Sequence, residues 1–212
     1  MSDDRWTRDP VIDAYLANMK LPPKPFMDRL EAERAVHEAA APKMGDAAPP
    51  FTARLLSPEG LPGDESISLS DFRGRNLALV FGSYTCPIYR GQIERLNEIH
   101  ADLRDRLAFL LIYISEAHPE DGWKVDINHT QDVVYDQPTA TGERAAVAAV
   151  CVARHDIRMP IALDDMDDSI NHAYSASPER LYLVDGEGIV RHRSPPGPFK
   201  LSVVEAWYAA LR

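Results

Sequence analysis

Cysteine is scarce in this chain, since only Cys86 and Cys151 occur among its 212 residues. Two thiols are too few for a disulfide scaffold or for a structural zinc site, which generally requires four ligands. We therefore expect no structural zinc site, and the sequence predicts no other metal and no cofactor. Each thiol is either a redox or catalytic group or simply a buried core residue.

Positive charge is also in short supply, with 23 Lys and Arg residues against 33 Asp and Glu residues and a formal net charge of -10. This balance repels the phosphates of nucleic acids and of anionic lipids, so neither is an expected partner. No run approaches the roughly 20 apolar residues of a membrane helix, and the charged N-terminus lacks an apolar signal core. We therefore expect a cytoplasmic protein.

The chain divides into a helical N-terminal extension, residues 1–45, and one main domain, residues 46–212. Within the extension, two short helices are predicted at Pro10–Met19 and Phe26–Ala40, because the proline-rich stretch LPPKPF precludes a continuous helix. The extension carries no evident chemistry. Its expected role is packing or dimerisation.

From Phe51 the main domain alternates strand-like and helical pieces. It begins with the strands FTARLL and SISL, followed by the buried strands LALVFG and AFLLIYI on either side of the amphipathic helix CPIYRGQIERLNEIHADLRDRL, an order that predicts a parallel crossover. It continues with the helix ERAAVAAVCVARH, the short strand MPIALD, the strand pair ERLYLV and GIVRHR, and the terminal helix SVVEAWYAALR. This order resembles an α/β thioredoxin-like fold with an N-terminal β-hairpin, parallel in its first half and antiparallel in its second.

Cys86 lies where the strand LALVFG turns into its helix, and Pro87 occupies the first helical position, where its missing N–H costs nothing. Free amides and the positive end of the helix dipole favour the thiolate, which predicts a lowered pKa and a nucleophilic Cys86. The alternative is a small apolar residue at a turn.

The C-x-x-C pair of thioredoxins is absent, because Tyr89 stands at its second position. The peroxiredoxin motif P-x-x-x-T-x-x-C is matched only in part, with Ser83 for the threonine and Leu79 for the proline.

Three segments, in order and at plausible spacing, resemble the iodothyronine deiodinases. FGSYTCP is similar to the selenocysteine loop, with Cys86 at the selenocysteine position, and LIYISEAHPEDGW is similar to the strand and loop that follow. LDDMDDSINHAYSASPERLYLV resembles a segment nearer the C-terminus, and the likeness covers about Phe72 to Arg212. It implies a thioredoxin-like fold of the peroxiredoxin or deiodinase type and reductive dehalogenation of an iodinated phenol or related small molecule by Cys86. It also makes a homodimer plausible.

The stretch EAHPEDGW follows the buried strand AFLLIYI, so Glu116, His118 and Trp123 are expected at the carboxyl end of a parallel strand, beside Cys86. His118 is expected to titrate near neutral pH and to exchange a proton, with Glu116 as its partner. The resemblance implies that both belong to the active site, with Trp123 and Tyr84 as aromatic walls for a flat substrate. The alternatives are an ordinary loop histidine and a core tryptophan.

Four further positions complete the predicted site. In the rival interpretation, a peroxiredoxin-like thiol peroxidase, Ser83 or Thr85 orients the peroxide. A third interpretation is a non-catalytic redox-sensing or binding domain.

Pro178 stands where thioredoxin-like folds place a cis-proline facing the thiol, although an ordinary trans turn is the alternative. Cys151 is the one internal candidate for a resolving thiol, but its alanine-rich helix favours a buried structural role. An external thiol such as a thioredoxin or glutathione system is therefore the expected reductant.

Overall fold

The computed structural model describes residues 16–57 and 59–212. Most of the first predicted helix, residues 10–15, lies outside the described residues; residues 16–18 are helical. Helix α1 spans Lys24–Ala40, two residues longer at its start than predicted. Pro23 precedes it as the N-cap, so the early prolines fall where they remove no helical hydrogen bond.

The main part of the described chain alternates strands and helices. The strands are β1 Thr52–Leu56, β2 Pro62–Ser68, β3 Leu77–Gly82, β4 Ala108–Tyr113, β5 Ile161–Leu163, β6 Arg180–Val184 and β7 Val190–Arg193. The helices after α1 are α2 Pro87–Leu103, α3 Asp126–Thr130, α4 Thr141–His155, α5 Ser169–Tyr174 and α6 Leu201–Leu211. A short 3-10 helix, Leu69–Phe72, joins β2 to β3.

The described strands form one sheet in the order β2-β1-β5-β4-β3-β6-β7. Strands β3 and β4 are parallel, with Gly82 opposite Tyr113 at their carboxyl ends, and β5 is parallel to β4. Strand β6 pairs antiparallel with β3 and β7, while β1 pairs antiparallel with β2 and β5. The predicted hairpin, parallel crossover and antiparallel second half are confirmed.

Strands β3 and β4 are buried along their whole length, as their continuous apolar runs indicate. Alternate side chains enter two hydrophobic clusters, because successive residues of a strand point to opposite faces. Val80 joins the cluster with Trp207 of α6, and Phe81 joins the cluster with Tyr174 of α5. The loops that follow β3 and β4 therefore meet at one edge of a sheet covered on both faces.

Two elements differ from the prediction. Strand β2 begins at Pro62, inside the predicted turn. Pro62 pairs with Leu56 of β1, and the register of the two strands shifts between Arg54 and Leu56. Helix α3, Asp126–Thr130, was not predicted, because it is short and polar and its one buried residue is Asn128. Among the described residues, no helix is both long enough and apolar enough to cross a membrane.

Candidate active site

Cys86 is the N-cap residue of α2, between the end of β3 and Pro87. The backbone N–H of Tyr89 donates a hydrogen bond to Cys86 Sγ at 3.5 Å. The predicted helix start is therefore confirmed. The Cys86 side chain, however, is only 1% exposed.

Burial decides the ionisation of Cys86. Desolvation, followed by the charge of Glu179, raises the pKa of its thiol from 9.0 to about 12, against the N–H groups of Tyr89 and Ile88 and the charge of Arg90, which lower it. A helix terminus supplies only on the order of 1 kcal/mol, while full burial can move a pKa by several units. The prediction of a lowered pKa is therefore wrong for this structure, which favours the neutral thiol.

A cavity of about 40 Å³, called the thiol cavity below, lies beside Cys86. Its described lining residues are Leu16, Met19, Arg34, Cys86, Pro87, Ile88, Ala117, His118, Trp123, Pro178 and Pro198. The structure thus brings together four of the predicted site residues: Cys86, His118, Trp123 and Pro178. The peptide bond before Pro178 is cis, which confirms the cis-proline alternative.

His118 contacts Trp123 in two ways. Its Nδ1 lies 3.0 Å from the Trp123 carbonyl oxygen, and the two rings meet edge to face with centroids 4.7 Å apart. Because a carbonyl only accepts, Nδ1 carries the proton in the neutral ring and Nε2 is the basic nitrogen. Burial, together with the charges of Arg34 and Arg90, lowers the pKa of His118 from 6.5 to about 4, against the hydrogen bond to the Trp123 carbonyl, which raises it. The prediction of a titration near neutral pH is therefore wrong.

Glu116 bonds to Thr85 and Tyr113 rather than to His118. Its Oε2 accepts hydrogen bonds from Thr85 N at 2.8 Å and Thr85 Oγ1 at 2.7 Å, and its Oε1 accepts one from the Tyr113 hydroxyl. The same Thr85 Oγ1 accepts a hydrogen bond from His118 N at 3.0 Å. The predicted Glu116–His118 side-chain pair is therefore wrong. Glu116 instead joins the loop that carries Cys86 to the loop that carries His118.

Three further predicted site residues, like Glu116 and Thr85, do not line the thiol cavity. Tyr84 is fully buried and its ring packs 5.6 Å from that of Tyr135, so its prediction as a substrate wall is wrong for this structure. Ser83 Oγ accepts a hydrogen bond from Ala117 N at 3.1 Å. Cys151 is unpaired and fully buried in the core, and desolvation raises its pKa. This placement agrees with the preferred structural interpretation of Cys151.

Sequence reasoning missed three polar residues of the site. Tyr113 closes a strand that reads as apolar, although it stands three residues before Glu116. Arg90 follows Cys86 by four residues on α2, and its guanidinium donates to Asn128 Oδ1 at 2.8 Å. Arg34 gave no signal, because only the folded chain brings α1 to the thiol cavity. Among the described residues, no group of three or more His, Cys, Asp and Glu side chains is arranged to hold a metal ion.

The fold is thioredoxin-like, with one cysteine at the junction of strand β3 and helix α2. The crystal structure of a thiol:disulfide interchange protein from Chlorobium tepidum matches with a TM-score of 0.53 and 20% identity, covering 81% of this chain and 100% of that one. A peroxidoxin from Mycobacterium tuberculosis matches with a TM-score of 0.55 and 12% identity, covering 81% and 97%. These likenesses confirm the predicted fold class.

Within this fold class, the chain belongs to the iodothyronine deiodinase family, whose model matches residues 29–210. A thyroxine 5-deiodinase of Gallus gallus is 35% identical over 152 residues, which cover 69% of this chain and 57% of that protein. A type II iodothyronine deiodinase of Neoceratodus forsteri is 32% identical over 157 residues, which cover 68% and 56%. The match to each relative thus spans little more than half of that relative's length. The family prediction is confirmed, and the family match begins inside α1, well before Phe72.

Proposed function

We propose that this protein is a thiol-dependent oxidoreductase that removes a halogen, iodine above all, from a phenol or a related small molecule. The observation that carries the proposal is that Cys86 and His118 line one cavity in a chain of the deiodinase family. The relatives named above are deiodinases by name, which supports an iodinated aromatic substrate. No cofactor is required, because the thiol itself supplies the electrons.

The charge states of the two side chains suggest how the proton moves. Neutral His118 presents Nε2 as a base, and Cys86 starts as a thiol. As Nε2 takes the thiol proton, sulfur attacks iodine, the carbon–iodine bond breaks and the sulfur–iodine bond forms. The imidazolium then returns the proton to the ring carbon. The step balances as Ar–I plus Cys–SH giving Ar–H plus Cys–S–I, in which carbon is reduced and sulfur oxidised.

An external thiol completes the cycle. One thiol displaces iodide and leaves a mixed disulfide on Cys86, and a second thiol releases the free enzyme and a disulfide. Cys151 is fully buried and does not line the thiol cavity, which supports an external reductant such as a thioredoxin or glutathione system. Such thiols are maintained in a reducing compartment, so the cytoplasm is the proposed location. A homodimer is proposed from the family resemblance, and light scattering on the purified chain tests it.

Iodide release provides the central test of the proposed function. With excess dithiothreitol, the wild type is expected to release iodide from iodotyrosines or iodothyronines, Cys86→Ser to lose all detectable release, and Cys151→Ala to keep most of it. The reason is that only Cys86 lines the cavity shared with His118. Iodide, measured with an ion-selective electrode, and peroxide consumption are followed in parallel.

Each other outcome points elsewhere. Peroxide consumption that requires Cys86, without iodide release, replaces the proposal by a thiol peroxidase. Absence of both activities in a folded protein replaces it by a redox-sensing or binding domain. Iodide release that survives Cys86→Ser removes the thiol from the mechanism.

A further inference from the structure

Arg34 of α1 is a cation in a mostly apolar cavity. It lines the thiol cavity with Leu16 and Met19, whereas the other described lining residues all lie at or beyond Cys86. Its Nε is buried and has no hydrogen-bond partner among the described residues. A guanidinium nitrogen buried without a partner is costly, because the group stays charged at every accessible pH.

Among the described residues that line the thiol cavity with Arg34, Cys86 is the one that can become its counter-ion. None of the described residues that line the thiol cavity carries a carboxylate. Burial lowers the pKa of Arg34, and the charges of Cys86 and of Glu31, which is exposed one turn earlier on α1, raise it. Cys86 is therefore the anionic partner that shares the cavity with Arg34.

Other charged groups also act on Cys86. Glu179 opposes its ionisation, and Arg90 favours it. The guanidinium of Arg90 already donates to the amide oxygens of Asn128 and Gln131. The charge of Arg34 reaches His118 as well, where it disfavours the imidazolium. Arg34 thus favours a negative sulfur and a neutral imidazole in the same cavity.

Arg34 also separates the thiol cavity from an open cleft. On its other side it lines a space of about 170 Å³ between α1 and α5, together with Glu33, His37 and His172. The thiol cavity itself, at about 40 Å³, is too small for an aromatic ring, since cavities that accept benzene measure about 150 Å³. A ring that reaches the sulfur from the cleft must therefore pass Arg34.

We propose that Arg34, contributed by the N-terminal helix, is a positioning residue whose guanidinium pairs with the Cys86 thiolate when the thiol loses its proton. This inference rests on the proposed function in one respect, the use of a thiolate in the reaction, and it holds for any electrophile that Cys86 attacks. It gives helix α1 a role in the candidate active site in addition to packing.

The test measures the rate at which iodoacetamide alkylates Cys86 in the full chain at pH 7, 8 and 9, followed by mass spectrometry of the Cys86 peptide. At these pH values, well below the raised pKa of the thiol, the rate is proportional to the thiolate fraction. Arg34→Met is expected to slow alkylation about tenfold or more at each pH, because an opposite charge at close range shifts a pKa by about one unit or more. Arg34→Lys is expected to restore most of the wild-type rate. Met19→Ala, which shortens another side chain of the thiol cavity without removing charge, is expected to speed alkylation.

The inference is wrong if Arg34→Met is alkylated at the wild-type rate or faster, or if Arg34→Lys slows alkylation as much as Arg34→Met does. Loss of iodide release in Arg34→Met with an unchanged alkylation rate also overturns it, because Arg34 would then act on the substrate rather than on the sulfur. Circular dichroism verifies that each variant is folded. The readout needs no iodinated aromatic substrate. Slower alkylation of Arg34→Met, together with a wild type that releases no iodide, therefore overturns the proposed function and retains this inference.

Discussion

Glu179 is a buried carboxyl whose charge acts on the Cys86 thiol. Its Oε1 accepts a hydrogen bond from Phe199 N at 3.0 Å, and its Oε2 has no partner among the described residues. Burial raises the pKa of Glu179 from 4.5 to about 8, against the hydrogen bonds from Phe199 and Gln92. The folded chain therefore holds a proton on Glu179 at neutral pH that the unfolded chain releases.

This proton predicts how Glu179→Gln changes stability with pH. From about pH 4.5 to 8 the folded state binds more protons than the unfolded state, so the contribution of Glu179 to the free energy of unfolding falls as pH rises. The wild type is therefore expected to lose stability relative to Glu179→Gln between pH 5 and 8 and to level off above pH 8. Urea unfolding at pH 5, 7 and 9 measures the difference.

His118 acts in the opposite direction, because its pKa is lowered to about 4 and its contribution to stability grows as pH rises towards 6.5. His118 contributes equally to the stability of the wild type and of Glu179→Gln, so its effect cancels in the difference between their free energies of unfolding. Glu143→Gln is the matched control: Glu143 is exposed, accepts hydrogen bonds from Thr139, and its pKa is lowered, so the difference between wild type and Glu143→Gln stays flat over this range. A flat difference for Glu179→Gln would show that Glu179 is ionised in the folded protein.

At the level of elements, α1 is held mainly by polar contacts. No residue of Lys24–Ala40 is buried. His37 stacks on His172 of α5 with ring centroids 4.2 Å apart, and Glu38 accepts hydrogen bonds from Arg180 at 2.8 Å and from Arg193. Because little apolar surface secures α1, we expect this helix to detach from the protein at a lower free-energy cost than the other elements that cover Cys86.

Glu38→Gln is expected to lower the free energy of unfolding by about 2 kcal/mol, because it leaves the fully buried Arg180 without its carboxylate. The value is below that of a fully buried pair, since Glu38 is itself 35% exposed. Cys86 is expected to react faster with iodoacetamide in this variant. Asp28→Asn removes an exposed pair with Lys24 on the same helix and should change both measurements little. Equal effects of the two substitutions would contradict the docking role of Glu38.

The elements also show where sequence patterns carry information. Strands β3 and β4 and helix α2 follow from apolar runs and from helical spacing, because each buries a regular face. Helix α3 escaped prediction because its one buried residue is the polar Asn128, which donates to the Thr85 carbonyl at 2.9 Å. A hydrophobic pattern cannot reveal an element that is held by such a contact.

On the scale of the whole molecule, we expect the two buried thiols to become accessible through two different conformational changes. Cys86 lies beneath α1 and the segment that precedes it, whereas Cys151 lies in the core between α4 and the sheet. We expect displacement of α1 and the segment before it to expose Cys86, and we expect Cys151 to become accessible only when the core separates. The two reactions therefore depend differently on denaturant.

Alkylation of the native wild type in increasing, sub-denaturing urea is expected to modify Cys86 at a rate that depends weakly on urea, because a small local opening exposes little surface. Cys151 is expected to react only with the steep urea dependence of global unfolding. Mass spectrometry of the two peptides separates the rates, and Cys86→Ser and Cys151→Ala identify each signal. Equal urea dependence of both cysteines would show that Cys86 is reached only through global unfolding.

By itself, the sequence determined the order of the elements, the fold class, the family and the position of Cys86 at the start of α2, because these depend on local pattern and on short motifs. The tertiary structure decided the chemical state of the site. Burial outweighs the helix terminus and raises the thiol pKa, the Trp123 carbonyl rather than Glu116 sets the tautomer of His118, and Arg34 reaches the cavity from a distant helix. Desolvation and charge interactions depend on which groups surround an atom in three dimensions, and neighbours in the sequence do not give that arrangement.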